Sequence, residues 1–170
     1  MTTTNLTAVT PLTDLVAGVR AAVRARADWD RTARLVADQV RAHLPEPGIL
    51  AADQRLGSPD KPAGHVLHVE PDGAFSILAV VWLPGQGTRI HDHTTWCVVG
   101  VLQGIEHEER YDELLNPIGE YDNHRGSVTG FAPPGDIHRV RNIHAGTAVT
   151  LHVYGTDVTR VGSSSRRYYD

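Results

Sequence analysis

The chain has 170 residues, the length of one domain, and 41% of them are apolar, enough for a real core. A net charge of −4 and a pI near 6.2 argue against nucleic acid or an anionic membrane surface as the main partner. No apolar run approaches the roughly 18 residues of a membrane span, and a single cysteine, Cys97, excludes an internal disulfide and paired-cysteine zinc sites. The opening stretch MTTTNLTAVTPLTDLV lacks the basic start and apolar block of a signal peptide, so a cytoplasmic protein is expected.

The first third reads as helical. Leu12, Leu15, Val16, Val19 and Val23 recur at helical spacing, with Thr13 and Asp14 as capping residues near the start. A second helix is predicted from about Asp30 to His43, with Leu35, Val36, Val40 and Leu44 on one face and Pro45 and Pro47 ending it. A Gly/Pro/Asp-rich loop, Gly57 to Gly64, follows. From His65 the pattern changes to short strands: Val66–Glu70, Ala74–Leu83, Arg89–His93, Trp96–Leu102, Ile105–Asp112, Ser127–Ala132, His138–Asn142 and Ala148–Tyr154. Turn signals separate them, among them Pro84-Gly85, Asn116-Pro117 and Pro133-Pro134-Gly135. Many short strands at this spacing predict a β-sandwich or closed barrel. The tail Gly162-Ser163-Ser164-Ser165 is flexible by composition. The expected organisation is residues 1–64 as helices and linker packed on a barrel of residues 65–170, one structural domain in all.

Ten histidines is a high number for this length, and their spacing carries the signal. In His91-Asp92-His93, alternation on a strand puts both imidazoles on one face, where they can grip one metal ion. Gly85 lies six residues before His91, Gly104 closes the next strand, and Pro133-x-Gly135-x-x-His138-x-x-x-Asn142 brings a third histidine just after a tight turn. Together these resemble the two signature motifs of the cupin superfamily, which implies a mainly β jelly-roll barrel carrying a metal. The sequence departs from the first motif at one point: Cys97 stands where a glutamate ligand is usual. Without that carboxylate the three imidazoles are neutral and a divalent metal keeps its full charge. Such a site favours a soft anionic ligand, and a bound thiol would lose its proton.

At this point the chain resembles the thiol dioxygenases, the cysteine dioxygenase and mercaptopropionate dioxygenase family. The resemblance runs through Trp82 to Gly104, through Gly135-Asp-Ile-His-Arg-Val-Arg-Asn142, and through Thr150-Leu-His152-Val-Tyr154, where the family carries a Ser-x-His-x-Tyr relay. It implies iron(II) on His91, His93 and His138, with a small thiol and dioxygen as its partners in the reaction and a sulfinate as product. It further implies that Tyr154 hydrogen-bonds near the reacting atoms, oriented by His152 and, behind it, Thr150. In animal cysteine dioxygenases a cysteine near the position of Cys97 forms a thioether with the relay tyrosine. Here Cys97 follows His93 by four residues rather than five. Alternation points it inward, either as a small buried hydrophobe or as a crosslink partner of Tyr154.

The substrate's carboxylate partner is less determined. Alignment on Gly73-Ala-Phe75 puts His65 where cysteine dioxygenases have an arginine. Arg89, two residues before His91, should share the ligand face and could clamp a carboxylate. Arg160, Arg166 and Arg167 lie after the relay strand, where the mercaptopropionate enzymes use an arginine. Of Glu106 and Glu108, one could face the pocket. The expected substrate is therefore a small carboxylate-bearing thiol, cysteine or a mercapto acid. Two other readings stay open: a cupin oxygenase converting such a thiol to another product, for example a sulfonamide, with nickel as a possible metal; and a metal-bound cupin that only binds or senses a ligand. A monomer or small homo-oligomer is expected.

Overall fold

The computed structural model describes residues 11–169. Two helices come first, α1 (Pro11–Arg24) and α2 (Trp29–Ala42). Asp28 caps α2, its carboxylate accepting from the Arg31 backbone N–H at 2.8 Å. Ten strands follow: β1 (Ala63–Val69), β2 (Ser76–Trp82), β3 (His91–His93), β4 (Cys97–Gln103), β5 (Ile105–Tyr111), β6 (Pro117–His124), β7 (Val128–Phe131), β8 (His138–Asn142), β9 (Ala148–Tyr154) and β10 (Ser165–Tyr168), with a one-turn helix α3 (Val158–Val161) before the last.

The strands form two five-stranded antiparallel sheets, β1-β2-β9-β4-β7 and β10-β3-β8-β5-β6, the two-layered arrangement of a cupin jelly roll. The first sheet lies between the helices and the second sheet, so both of its faces are buried and β4 and β9 read as almost unbroken apolar runs. Alternation along β9 sorts its residues. Val149, Leu151 and Val153 join Val19, Val36 and Val40 of the helices in the main core, while Thr150, His152 and Tyr154 point the other way, into the barrel. Helix α2 comes so close to β7 that a Cβ on Gly130 would lie 2.8 Å from the Ala33 carbonyl oxygen, so glycine is required there by the packing. Arg20 on α1 grips Glu70, just after β1, with two hydrogen bonds of 2.6 and 2.9 Å, tying the helical layer to the barrel. Among the described residues no helix is long and apolar enough to cross a membrane.

Four expectations need correction. The Asn116-Pro117 turn leads into β6, an exposed edge strand of sequence PIGEYDNH whose lack of apolar alternation hides it from a pattern reading. The metal strand begins at His91 rather than Arg89. From Ser165 the tail is a strand: β10 pairs with β3, Ser165 opposite His93 and Tyr168 opposite His91. Strand β1 also starts at Ala63, inside the expected loop.

Candidate metal centre

His91 and His93 project from β3, and His138 stands opposite His91 as its cross-strand partner on β8. Their ligating nitrogens all lie within 4.8 Å of one another, and all three side chains are buried. Each ring is held from behind. The Nδ1 of His91 is 2.9 Å from the Arg89 carbonyl oxygen, that of His93 is 3.1 Å from Asp136 Oδ2, and that of His138 is 2.9 Å from Glu108 Oε1. With an acceptor behind each Nδ1–H, every ring keeps its Nε2 lone pair free for a common point, the arrangement that metal-binding imidazoles use. Burial, reinforced by the neighbouring rings of His138 and His93, pushes His91 down to about 3, and burial also lowers His93. Both are therefore neutral, as a ligand must be. The Phe131 ring packs 5.0 Å from His93 and 4.9 Å from His138 and closes the apolar side of the cluster. Three imidazole nitrogens with open positions fit a divalent transition metal.

The acceptors behind the rings were the part sequence reasoning missed. Glu108 and Asp136 sit on different segments, and only the register of β5 on β8 and the turn before β8 bring them to the ligands. Burial works against the Glu108 charge, but hydrogen bonds from His138 and Arg110 outweigh it and hold the carboxyl down at about 2. Between the two β3 ligands, Asp92 points to the opposite face. There its carboxylate accepts from Arg166, from the backbone and side chain of Arg167, and from the Tyr169 hydroxyl. Burial would raise Asp92, yet these donors keep it well below the usual carboxylate range.

The inner face of β9 carries a hydrogen-bonded row. Thr150 Oγ1 is 2.8 Å from His152 Nε2, and His152 Nδ1 is 2.9 Å from the Tyr154 hydroxyl. Trp82 extends the row by donating its indole N–H to Thr150 at 2.8 Å. Burial, reinforced by the neighbouring ligand imidazoles, pushes His152 down to about 3, and burial raises Tyr154 well above its ordinary value. Cys97 is fully buried directly opposite Tyr154 in the β4–β9 register, and burial also lifts its thiol.

The ligand nitrogens and Tyr154 open into one cavity of about 220 Å³. Its other walls are apolar side chains of β2, β4 and β7, hydroxyls of Thr88 and of Ser163 to Ser165, and the carboxyl of Glu106. None of the four expected substrate residues lies on this wall. Arg89 is exposed and lies over the Tyr168 ring at 5.0 Å. His65 pairs with Ala79, a residue of the helix-side core, so its side chain leaves β1 on the face away from the cavity. Arg160 is exposed on α3, and Arg166 is committed to Asp92. Both glutamates of β5 face inward, Glu108 onto His138 and Glu106 into the cavity. Burial and the Glu108 charge push Glu106 up to about 8.

A two-sheet barrel with three inward imidazoles and no carboxylate ligand defines a three-histidine metal cupin. A family model described as "Cysteine dioxygenase type I" matches residues 62–167, more than half the chain. The chain belongs to that family. It is 31% identical over 94 residues to cysteine dioxygenase type 1 of Danio rerio, covering 50% of this chain and 47% of the relative. It is 33% identical over 91 residues to the Homo sapiens protein of the same name, covering 49% and 46%. The chain thus spans about half the length of the curated relatives it matches. In fold it is similar to a Klebsiella pneumoniae protein with a double-stranded β-helix domain, at a TM-score of 0.51 and 17% identity over 66% of this chain and 92% of that one.

Proposed function

We propose that this chain is an iron(II)-dependent thiol dioxygenase that converts a small thiol to its sulfinic acid, RSH + O2 → RSO2H, with both oxygen atoms passing to sulfur. The observation that carries the reading is the all-imidazole ligand set opening into the same cavity as the Tyr154 hydroxyl. When bound, the metal supplies the positive charge that takes the substrate as thiolate and the open positions for substrate and dioxygen. His91, His93 and His138 hold it. Their acceptors, the Arg89 carbonyl, Asp136 and Glu108, fix the tautomers and the aim of the rings.

Tyr154 is the hydrogen-bonding group beside the reacting atoms. Trp82 can only donate, so it occupies one of the two acceptor positions on Thr150. We read the Thr150 hydroxyl as donating to His152 Nε2, which puts the single proton of neutral His152 on Nδ1, donated to the Tyr154 oxygen. The phenolic proton then points into the cavity, where Tyr154 also meets the Ser164 hydroxyl. Cys97 stands opposite Tyr154, where Cβ atoms are about 4.5–5.5 Å apart. That spacing supports a thioether between the two, formed with loss of two hydrogens and with dioxygen as the electron acceptor. The carboxylate clamp expected of Arg89, His65, Arg160 or Arg166 has no support in the cavity wall, and the substrate is therefore proposed as a small thiol without that restriction.

The test is anaerobic loading with iron(II), then oxygen uptake with cysteine, 3-mercaptopropionate, cysteamine and mercaptosuccinate, with products read by mass. A gain of two oxygen atoms on one thiol is expected. A product with any other change supports a different oxygenase, and no oxygen consumption with any thiol supports a ligand-binding cupin.

A further inference from the structure

We propose that Glu106 selects the substrate, and that the cavity takes a small thiol carrying a cationic amine in preference to one carrying a carboxylate. The inference rests on the thiol dioxygenase reading for the role of the metal and deepens it by naming the substrate class.

Glu106 projects from β5 into the cavity and is only 5% exposed. It is hydrogen-bonded to Asn123, but its Oε2 has no partner. A buried acceptor left without a donor is uncommon and calls for a group from outside. Its place is informative. Glu108, two residues further along the same face of β5, touches the ligand His138. Two residues of extended chain cover about 7 Å, so Glu106 sits one side-chain layer from the metal ligands along the inner wall. A molecule bound through sulfur at the three imidazoles would present its far end to that layer. The cavity, at about 220 Å³, is below the ~300–1,000 Å³ of drug-sized sites and fits a short spacer.

The charges on the wall point the same way. Among the described residues lining the cavity there is no lysine or arginine, and Glu106 is the one carboxyl. The nearby arginines are engaged elsewhere: Arg110 on Glu108, and Arg166 and Arg167 on Asp92. A carboxylate at the far end of the substrate would meet no cation, only the Glu106 carboxyl and neutral hydroxyls. An ammonium there supplies the positive charge that lets the buried Glu106 ionise, and gains a charge-assisted hydrogen bond to Oε2.

The test titrates anaerobic iron(II)-loaded protein calorimetrically with 2-aminoethanethiol, 3-mercaptopropionate and 1-propanethiol, for wild type and Glu106→Gln. A hydrogen bond to a charged group predicts that the variant loses about tenfold to hundredfold in affinity for the aminothiol. Its affinity for propanethiol stays the same. In wild type the aminothiol should bind most tightly of the three. Tightest binding of 3-mercaptopropionate, or aminothiol binding indifferent to Glu106→Gln, would overturn the proposal, and the wild-type ranking decides alone should the variant not fold. Oxygen uptake separates the two layers. Consumption with mercaptopropionate but not aminothiol overturns the substrate class and leaves the dioxygenase standing. Tight, Glu106-dependent aminothiol binding without consumption supports the role of Glu106 and overturns the dioxygenase.

Discussion

The two ends of the cavity are built differently. At the metal end every group has its partner: three imidazoles, each backed by an acceptor on a different segment, with the Glu108 acceptor itself fixed by Arg110. At the other end a buried glutamate oxygen has none, and the walls are apolar or hydroxyl-bearing. Complete second partners mark what the protein holds permanently, and an incomplete one marks what it leaves to a ligand. The same contrast separates the faces of β3. His91 and His93 face the cavity with free ligating nitrogens, whereas Asp92 between them is saturated by donors from the tail.

The sharpest way to break this contrast is at a ligand. His138→Ala should abolish iron retention and reduce thiol-dependent oxygen uptake to background, read by metal analysis and an oxygen electrode. Next comes the relay. Tyr154→Phe removes the phenolic hydroxyl while keeping the ring, and should lower kcat by about a hundredfold, the lower range for a positioned proton donor, with iron content unchanged. The crosslink is tested on the wild-type protein: its intact mass should show a loss of two hydrogens, with Cys97 and Tyr154 joined in peptide maps. Unmodified peptides for both residues would remove the thioether from the account.

Smaller effects probe the groups behind the ligands. Glu108→Gln keeps the shape but weakens the acceptor behind His138 and should reduce iron affinity by about 10–100-fold. The pH profile of the metal-free protein is smaller still. His91 and His152 are held neutral with folded values near 3, below the ordinary 6.5. Below 6.5 the unfolded chain takes up protons that the folded one refuses, so stability should be full above pH 6.5 and fall as pH drops toward 3. Thermal melts from pH 8 to 4 check the slope. A midpoint that does not decline below pH 6 would contradict the neutral, buried assignment.

How legible this was depended on whether a residue's role is local. The pair His91 and His93, and the row Thr150, His152, Tyr154, are set by alternation along single strands, so spacing alone brought each set to one face. His138 followed from a motif anchored on its turn. Glu108, Asp136 and Trp82 act across strands, and their partners depend on a register that no single segment contains. Arg166 looked like a substrate group because β10, a serine- and arginine-rich edge strand with no apolar alternation, could not be read as pairing with β3. His65 was placed by alignment alone, and its pairing with Ala79 turns the side chain to the helix side. On β5 one of Glu106 and Glu108 was expected to face the pocket; the fold turns both inward, Glu108 spent on a ligand and Glu106 at the far end of the cavity.

One measurement reaches the centre of the account: oxygen uptake by the anaerobically iron-loaded chain on addition of a small thiol, with 18O2 and mass analysis of the product. The account predicts a sulfinate carrying both labelled oxygen atoms, lost in His138→Ala. A product with one or no labelled atom, or no oxygen consumption with any thiol of the panel, would contradict it.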